Sequence, residues 1–102
     1  MSYDLSDLMQ LVLAEAGEAV HLHDGEAPVL EIHGQLHRIE GPRFEPGDTQ
    51  TLLRRIAPAD EVHELMRNGI TAFEHCHGEA TRFRILAFRE DGSFRLELRR
   101  VL

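Results

Sequence analysis

Leu5, Leu8, Met9, Val12, Leu13 and Ala16 recur at three- and four-residue spacing. That period lays them along one stripe and predicts an amphipathic helix over residues 4–16. Asp4 is the expected N-cap, Asp7 adds an acid to the first turn, and Gly17 is the expected C′ stop. Short runs then replace the helical period. Ala19–His23, Val29–Ile32 and Gln35–Ile39 read as three strands separated by turn residues. His33-Gly34 suits a two-residue primed turn between the second and third, since Gly takes positive φ freely and His tolerates it. Gly41-Pro42 ends this meander.

Helical spacing returns at Pro46, with Asp48 in the first turn and Thr51, Leu52, Arg55 and Ile56 carrying it to Ala57. Pro58 interrupts. Ala59–Arg67 is a third predicted helix, with Val62, Leu65 and Met66 facing inward and Asn68-Gly69 closing it. The remainder reads as strands over Ile70–His77, Thr81–Arg89 and Phe94–Val101, with turns at His77-Gly78-Glu79 and Asp91-Gly92. Runs of strands beside runs of helices, in the order αβββααβββ, define an α+β fold.

Composition narrows what such a domain can do. The chain has 102 residues, enough for one core, and 42% of them are hydrophobic. Its formal charge is −7, which opposes a nucleic-acid binder held by phosphate contacts. All 11 basic residues are arginine, so no Schiff-base, nucleophilic or P-loop lysine is present. The single cysteine, Cys76, cannot form an internal disulfide. No signal-like leader and no apolar run of membrane-spanning length is seen, and a cytoplasmic setting is expected.

The charge is unevenly placed. Residues 82–100 carry six arginines against Glu90, Asp91 and Glu97, whereas residues 1–81 carry a net of −10. A two-residue turn at Asp91-Gly92 sets Glu90 opposite Ser93. Ile85 then faces Leu98 and Ala87 faces Leu96, which makes one apolar face. The other face sets Arg84 opposite Arg99, with Arg82 diagonal to them. Like charges directly across a strand pair repel. Either solvent or an acid from elsewhere in the chain relieves Arg84 and Arg99, or Arg82, Arg84 and Arg99 meet an anion or a partner's carboxylate.

No catalytic residues are expected. Alternation puts Cys76 on the opposite face from His75 and His77, so these three make neither a dyad nor a chelate within a regular strand. Cys76 is read as a small packed apolar side chain. His21 and His23 share a strand face, His33 is a turn residue and His63 lies on a helix surface. No metal-ligand motif is present, and neither metal nor cofactor is expected.

The order of segments resembles the N-terminal, PAS-like domain of the PilT-type pilus retraction ATPases and related type II/IV secretion ATPases. The resemblance runs through Asp4-Leu5-Ser6-Asp7-Leu8, His21-Leu22, Gly25, Pro28 and Gly34-Gln35-Leu36-His37-Arg38. It continues through Arg82-Phe83-Arg84-Ile85, Phe88-Arg89, Gly92 and Leu98-Arg99-Arg100-Val101. It implies a PAS-like antiparallel sheet of about six strands with helices on one face, and residues 1–102 as one PilT-N-like domain. In that family a RecA-like motor with its P-loop follows this domain, and no motor motif occurs here. The chain is therefore expected not to hydrolyse ATP alone. Arginines of the family's N-terminal domain approach the nucleotide held by the motor, and Arg82, Arg84 and Arg99 match those basic positions. Leu86 stands where the family often has Asn, and Glu31 where it often has a base. The resemblance implies a regulatory, protein-binding role in pilus or secretion systems and in twitching motility. The expected partners are a pilus or secretion ATPase, or a second copy in a homodimer paired at a free edge of the terminal hairpin. An anion or nucleotide sensor is the alternative.

Overall fold

A computed structural model describes residues 3–101. The elements run α1 (Leu5–Ala14), β1 (Ala19–His23), β2 (Val29–Ile32), β3 (Gln35–Arg38), α2 (Asp48–Ile56), α3 (Ala59–Asn68), β4 (Ile70–His77), β5 (Thr81–Glu90) and β6 (Ser93–Val101). This is the α+β order expected.

Asp4 caps α1 by accepting from the Ser6 amide at 2.8 Å. The other end departs from expectation. The helix stops at Ala14, and Ala16 leaves the apolar stripe for a left-handed conformation with φ 52°. The Gly17 amide reaches back to the Val12 carbonyl at 2.8 Å and the Ala16 amide to that of Leu13 at 3.2 Å. These two bonds form a Schellman closure in which Ala16, not Gly17, is the C′ residue. Gly17 is needed for another reason: a Cβ there would lie 3.1 Å from the Glu31 carbonyl oxygen.

The start of α2 is held from a distance. Gly47 precedes the helix with φ 90° and supplies no cap of its own. Asp24, in the β1–β2 loop, takes that place. Its carboxylate accepts from the Gly47 amide at 3.1 Å, the Thr49 amide at 3.2 Å and the Thr49 hydroxyl at 2.9 Å. Thr49 is completely buried, so its hydroxyl needs a partner, and Asp24 is nearer than the Phe94 carbonyl at 3.4 Å. In α3, Leu65 is buried as expected but Met66 is 42% exposed. Glu61 on the same helix accepts from the Thr71 hydroxyl of β4.

All six strands form one antiparallel sheet in the order β3-β2-β1-β6-β5-β4. β6 therefore lies inside the sheet between β1 and β5. The terminal hairpin has no free edge, contrary to expectation, because β4 covers β5. Alternate strand residues build the core face: Val20, Leu22, Leu30, Phe83, Ile85, Ala87, Phe94, Leu96 and Leu98. Leu5, Leu8, Met9 and Val12 of α1, Leu52 and Leu53 of α2 and Leu65 of α3 pack in the same cluster. The helices thus share one face, and the opposite face of the sheet is uncovered. Phe44, in the β3–α2 connection, also enters this core and is 1% exposed. Among the described residues no helix is long and apolar enough to cross a membrane.

Candidate anion and partner face

The uncovered face carries Arg38, Arg82, Arg84, Arg95 and Arg99 against Glu31, Glu74, Glu90 and Glu97. That is a net of +1 on a chain of −7. Its centre is the predicted pair: Arg84 lies opposite Arg99, as Ile85 lies opposite Leu98 on the core face. Their side chains have separate fates.

Arg99 turns toward β1 and β2. Its two terminal nitrogens donate to both oxygens of Glu31, at 2.9 and 3.2 Å, and its Nε donates to Glu97 Oε2 at 3.2 Å. His21 closes the group, with Nε2 2.9 Å from Glu31 Oε1 and Nδ1 3.7 Å from Glu97 Oε1. Four side chains thus form a ring on three adjacent strands. Hydrogen bonds from Arg99, and then from His21, hold the Glu31 carboxyl down at about 2. The Arg99 guanidinium is pushed up in turn, first by Glu97 and then by Glu31. Glu31 is the distant acid that the sequence left open.

Arg82 and Arg84 are exposed on β5. Arg82 pairs with Glu74 at 3.3 Å across the β4–β5 ladder, both side chains largely in solvent. Such a pair contributes little to stability. Among the described residues Arg84 forms no ion pair, although Glu74 lies opposite it. The three expected residues therefore share a face but not a role. Arg99 is engaged within the chain, while Arg82 and Arg84 present guanidinium groups outward. Leu86 and Phe88, both half-buried, extend the same face with apolar surface.

One expectation about this face changes. Cys76 is exposed, not packed, because the side of β4 on which it lies has no covering layer. His75 and His77 lie on the helix side. His77 Nε2 is 3.2 Å from Gln10 Oε1, and its ring meets Phe83 edge-on. Among the described residues no group of three or more His, Cys, Asp or Glu side chains is placed to hold a metal ion. The depression nearest the Arg99 ring, about 190 Å³, is lined by His21, His23, Val29, Leu36 and Arg95 among others. The group that sequence reasoning missed is His21, Glu31 and Glu97 around Arg99. Glu97 was within reach, being two residues from Arg99 on one strand. Glu31 was not, because it arrives through the β1–β6 and β1–β2 pairings.

The fold has close counterparts. The pilus retraction motor PilT, solved with bound ADP, matches 96% of this chain with a TM-score of 0.87 at 25% identity. The ATPase DotB of Legionella pneumophila matches all of it at 0.74 and 17%, and that of Yersinia pseudotuberculosis 96% of it at 0.69 and 13%. This chain spans only 29%, 30% and 29% of those three chains. No protein-family model and no curated protein matches the chain. The resemblance read from the residues, to the N-terminal domain of PilT-type ATPases, is borne out by the fold.

Proposed function

We propose that residues 1–102 are one PilT-N-like module, non-catalytic, that acts by protein contact in a cytoplasmic pilus or secretion ATPase system. The match to PilT over 96% of this chain, but 29% of that one, carries the reading. The shared part is this one α+β unit. Its partner is a pilus or secretion ATPase, and its role is to regulate that machine and hence twitching motility. The uncovered sheet face supports contact with a protein. It is positive on an acidic chain, which orients encounter, and Leu86 and Phe88 add apolar area. A non-catalytic role is supported by the lack of lysine and by the ring itself. The Arg99 and Glu31 displacements are explained by pairing within the ring, to Glu97 and Glu31 for Arg99 and to Arg99 and His21 for Glu31, rather than by a reactive site.

The test is co-purification with the pilus and secretion ATPases of the host, using the wild type and Arg84→Glu. Capture of an ATPase that weakens in the variant supports the module. No capture, together with unchanged twitching after deletion, sinks it.

A second reading rests on Arg84, which forms no ion pair among the described residues and stands beside Arg82. PilT is the similar protein that holds ADP. In this reading the two arginines bind a nucleotide's phosphates. Thermal shift with ADP and ATP checks it. A shift that survives Arg82→Ala with Arg84→Ala refutes the site.

A further inference from the structure

The longer of the two sheet edges is β4, with eight residues, against four for β3. The Arg89 amide donates to the Gly69 carbonyl at 2.9 Å, in the same register as Ile70 opposite Phe88. In an antiparallel ladder, hydrogen-bonded and non-hydrogen-bonded pairs alternate. The odd-numbered residues of β4 therefore bond toward β5. The N–H and C=O groups of Ile70, Ala72, Glu74 and Cys76 point away from the sheet. Edge strands that stay single are usually short, or blunted by lysine, proline or a bulge. β4 contains no lysine and no proline. It also begins on Ile70, which is 46% exposed.

We infer that β4 pairs antiparallel with β4 of a second copy of this chain, about a two-fold axis through Phe73. The arrangement of groups selects that register. Two outward-facing residues must oppose each other, which removes every register with an odd residue opposite an even one. Centring on Phe73 sets Ile70 opposite the partner's Cys76 and Ala72 opposite the partner's Glu74, each twice by symmetry. All four outward residues are used, for about eight hydrogen bonds between the chains. Centring on Glu74 sets that carboxylate against its own copy and leaves Ile70 uncovered. Centring on Ala72 leaves Cys76 unpaired. With Phe73 on the axis, the two Phe73 rings meet on the helix side, where cross-strand side chains come closest. The interface is isologous and closes at two copies, and the dimer is one continuous twelve-stranded sheet. This edge is distinct from the uncovered face, so the inference stands whether or not the proposed function does.

Sedimentation equilibrium of the purified chain tests it. The wild type is expected to rise with concentration to twice the chain mass. Ala72→Pro removes an N–H that β5 does not use, and is expected to stay at one chain mass with an unchanged far-UV spectrum. A second measurement does not depend on that variant folding. Hydrogen-bonded antiparallel residues have Cα atoms about 5.5 Å apart, within disulfide range. Ile70→Cys is therefore expected to give a covalent dimer with the partner's Cys76 under mild oxidant, and to lose it when Cys76→Ser is added. Overturning results are a wild type that remains at one chain mass up to several hundred micromolar, or an Ile70→Cys chain that does not cross-link. A cross-link that persists without Cys76 also overturns it.

Discussion

Both carboxylate oxygens of Glu31 accept from Arg99 across 68 residues of sequence, and the contact ties β2 to β6 over the intervening β1. Glu31 is mostly buried, with its side chain 17% exposed, whereas that of Arg99 is 39% exposed. Solvent at the arginine weakens the attraction but leaves the two-pronged geometry.

The pH dependence follows from the direction of the Glu31 shift. Its carboxyl is held at about 2 in the fold, against 4.5 ordinarily. The fold therefore favours the ionised form. That contribution is complete above the ordinary value and is lost as pH falls through 2. Glu31→Gln is expected to cost about 1–2 kcal/mol at pH 7, after allowance for solvent around Arg99. The gap from wild type is expected to shrink by roughly half at pH 3. Urea unfolding at the two pH values measures this, and a gap unchanged with pH would contradict the ring's assigned role.

The two facing arginines are expected to respond in opposite ways. Arg84→Ala removes an exposed group that pairs with no acid among the described residues, and unfolding free energy should stay within about 0.5 kcal/mol of wild type. Arg99→Ala leaves the Glu31 and Glu97 carboxylates without their arginine partner, which costs about 1–3 kcal/mol. Paired denaturation curves separate them. Equal losses would mean that the ring does not hold Arg99 as described.

Local pattern made much of this legible. The β5–β6 register followed from a two-residue turn and one apolar face, and Asp91 and Gly92 do take positive φ. His33 and Gly34 do the same at the other hairpin. What stayed hidden depends on which distant strands become neighbours. Placing β1 beside β6 brings Glu31 to Arg99, and no spacing in the chain encodes that. Cys76 and Met66 were misread for a related reason. Apolar character indicates that a side chain can be buried, not that a second layer lies over it. Phe44 is the converse, a core residue inside a connection without a periodic pattern.

Asp24 provides a test of a long-range cap. Asp24→Ala leaves the Gly47 and Thr49 amides short of their acceptor and the buried Thr49 hydroxyl with only the Phe94 carbonyl at 3.4 Å. The expected loss is about 1–2 kcal/mol, or roughly 5–10 °C in melting temperature. Thermal unfolding reads it, and a change below about 1 °C would show that water replaces the carboxylate at no cost.

Ala16 offers the opposite sign. An L-residue held at φ 52° is strained, and glycine is not. Ala16→Gly is expected to stabilise by about 0.5–1 kcal/mol, since the relieved strain exceeds the flexibility added to the unfolded chain. A loss on denaturant titration would mean that the Schellman closure tolerates alanine without strain.

The position of β6 also sets a schedule for assembly. It completes the sheet by joining β1, some seventy residues earlier in the chain, to β5 beside it. Pairings this distant must close a long loop before they gain contacts, which slows folding. During synthesis, β1–β3 and β4–β5 can form only separate ribbons until residues 93–101 emerge. The core face of each, including Val20, Leu22, Phe83 and Ile85, stays open to solvent until that one strand arrives.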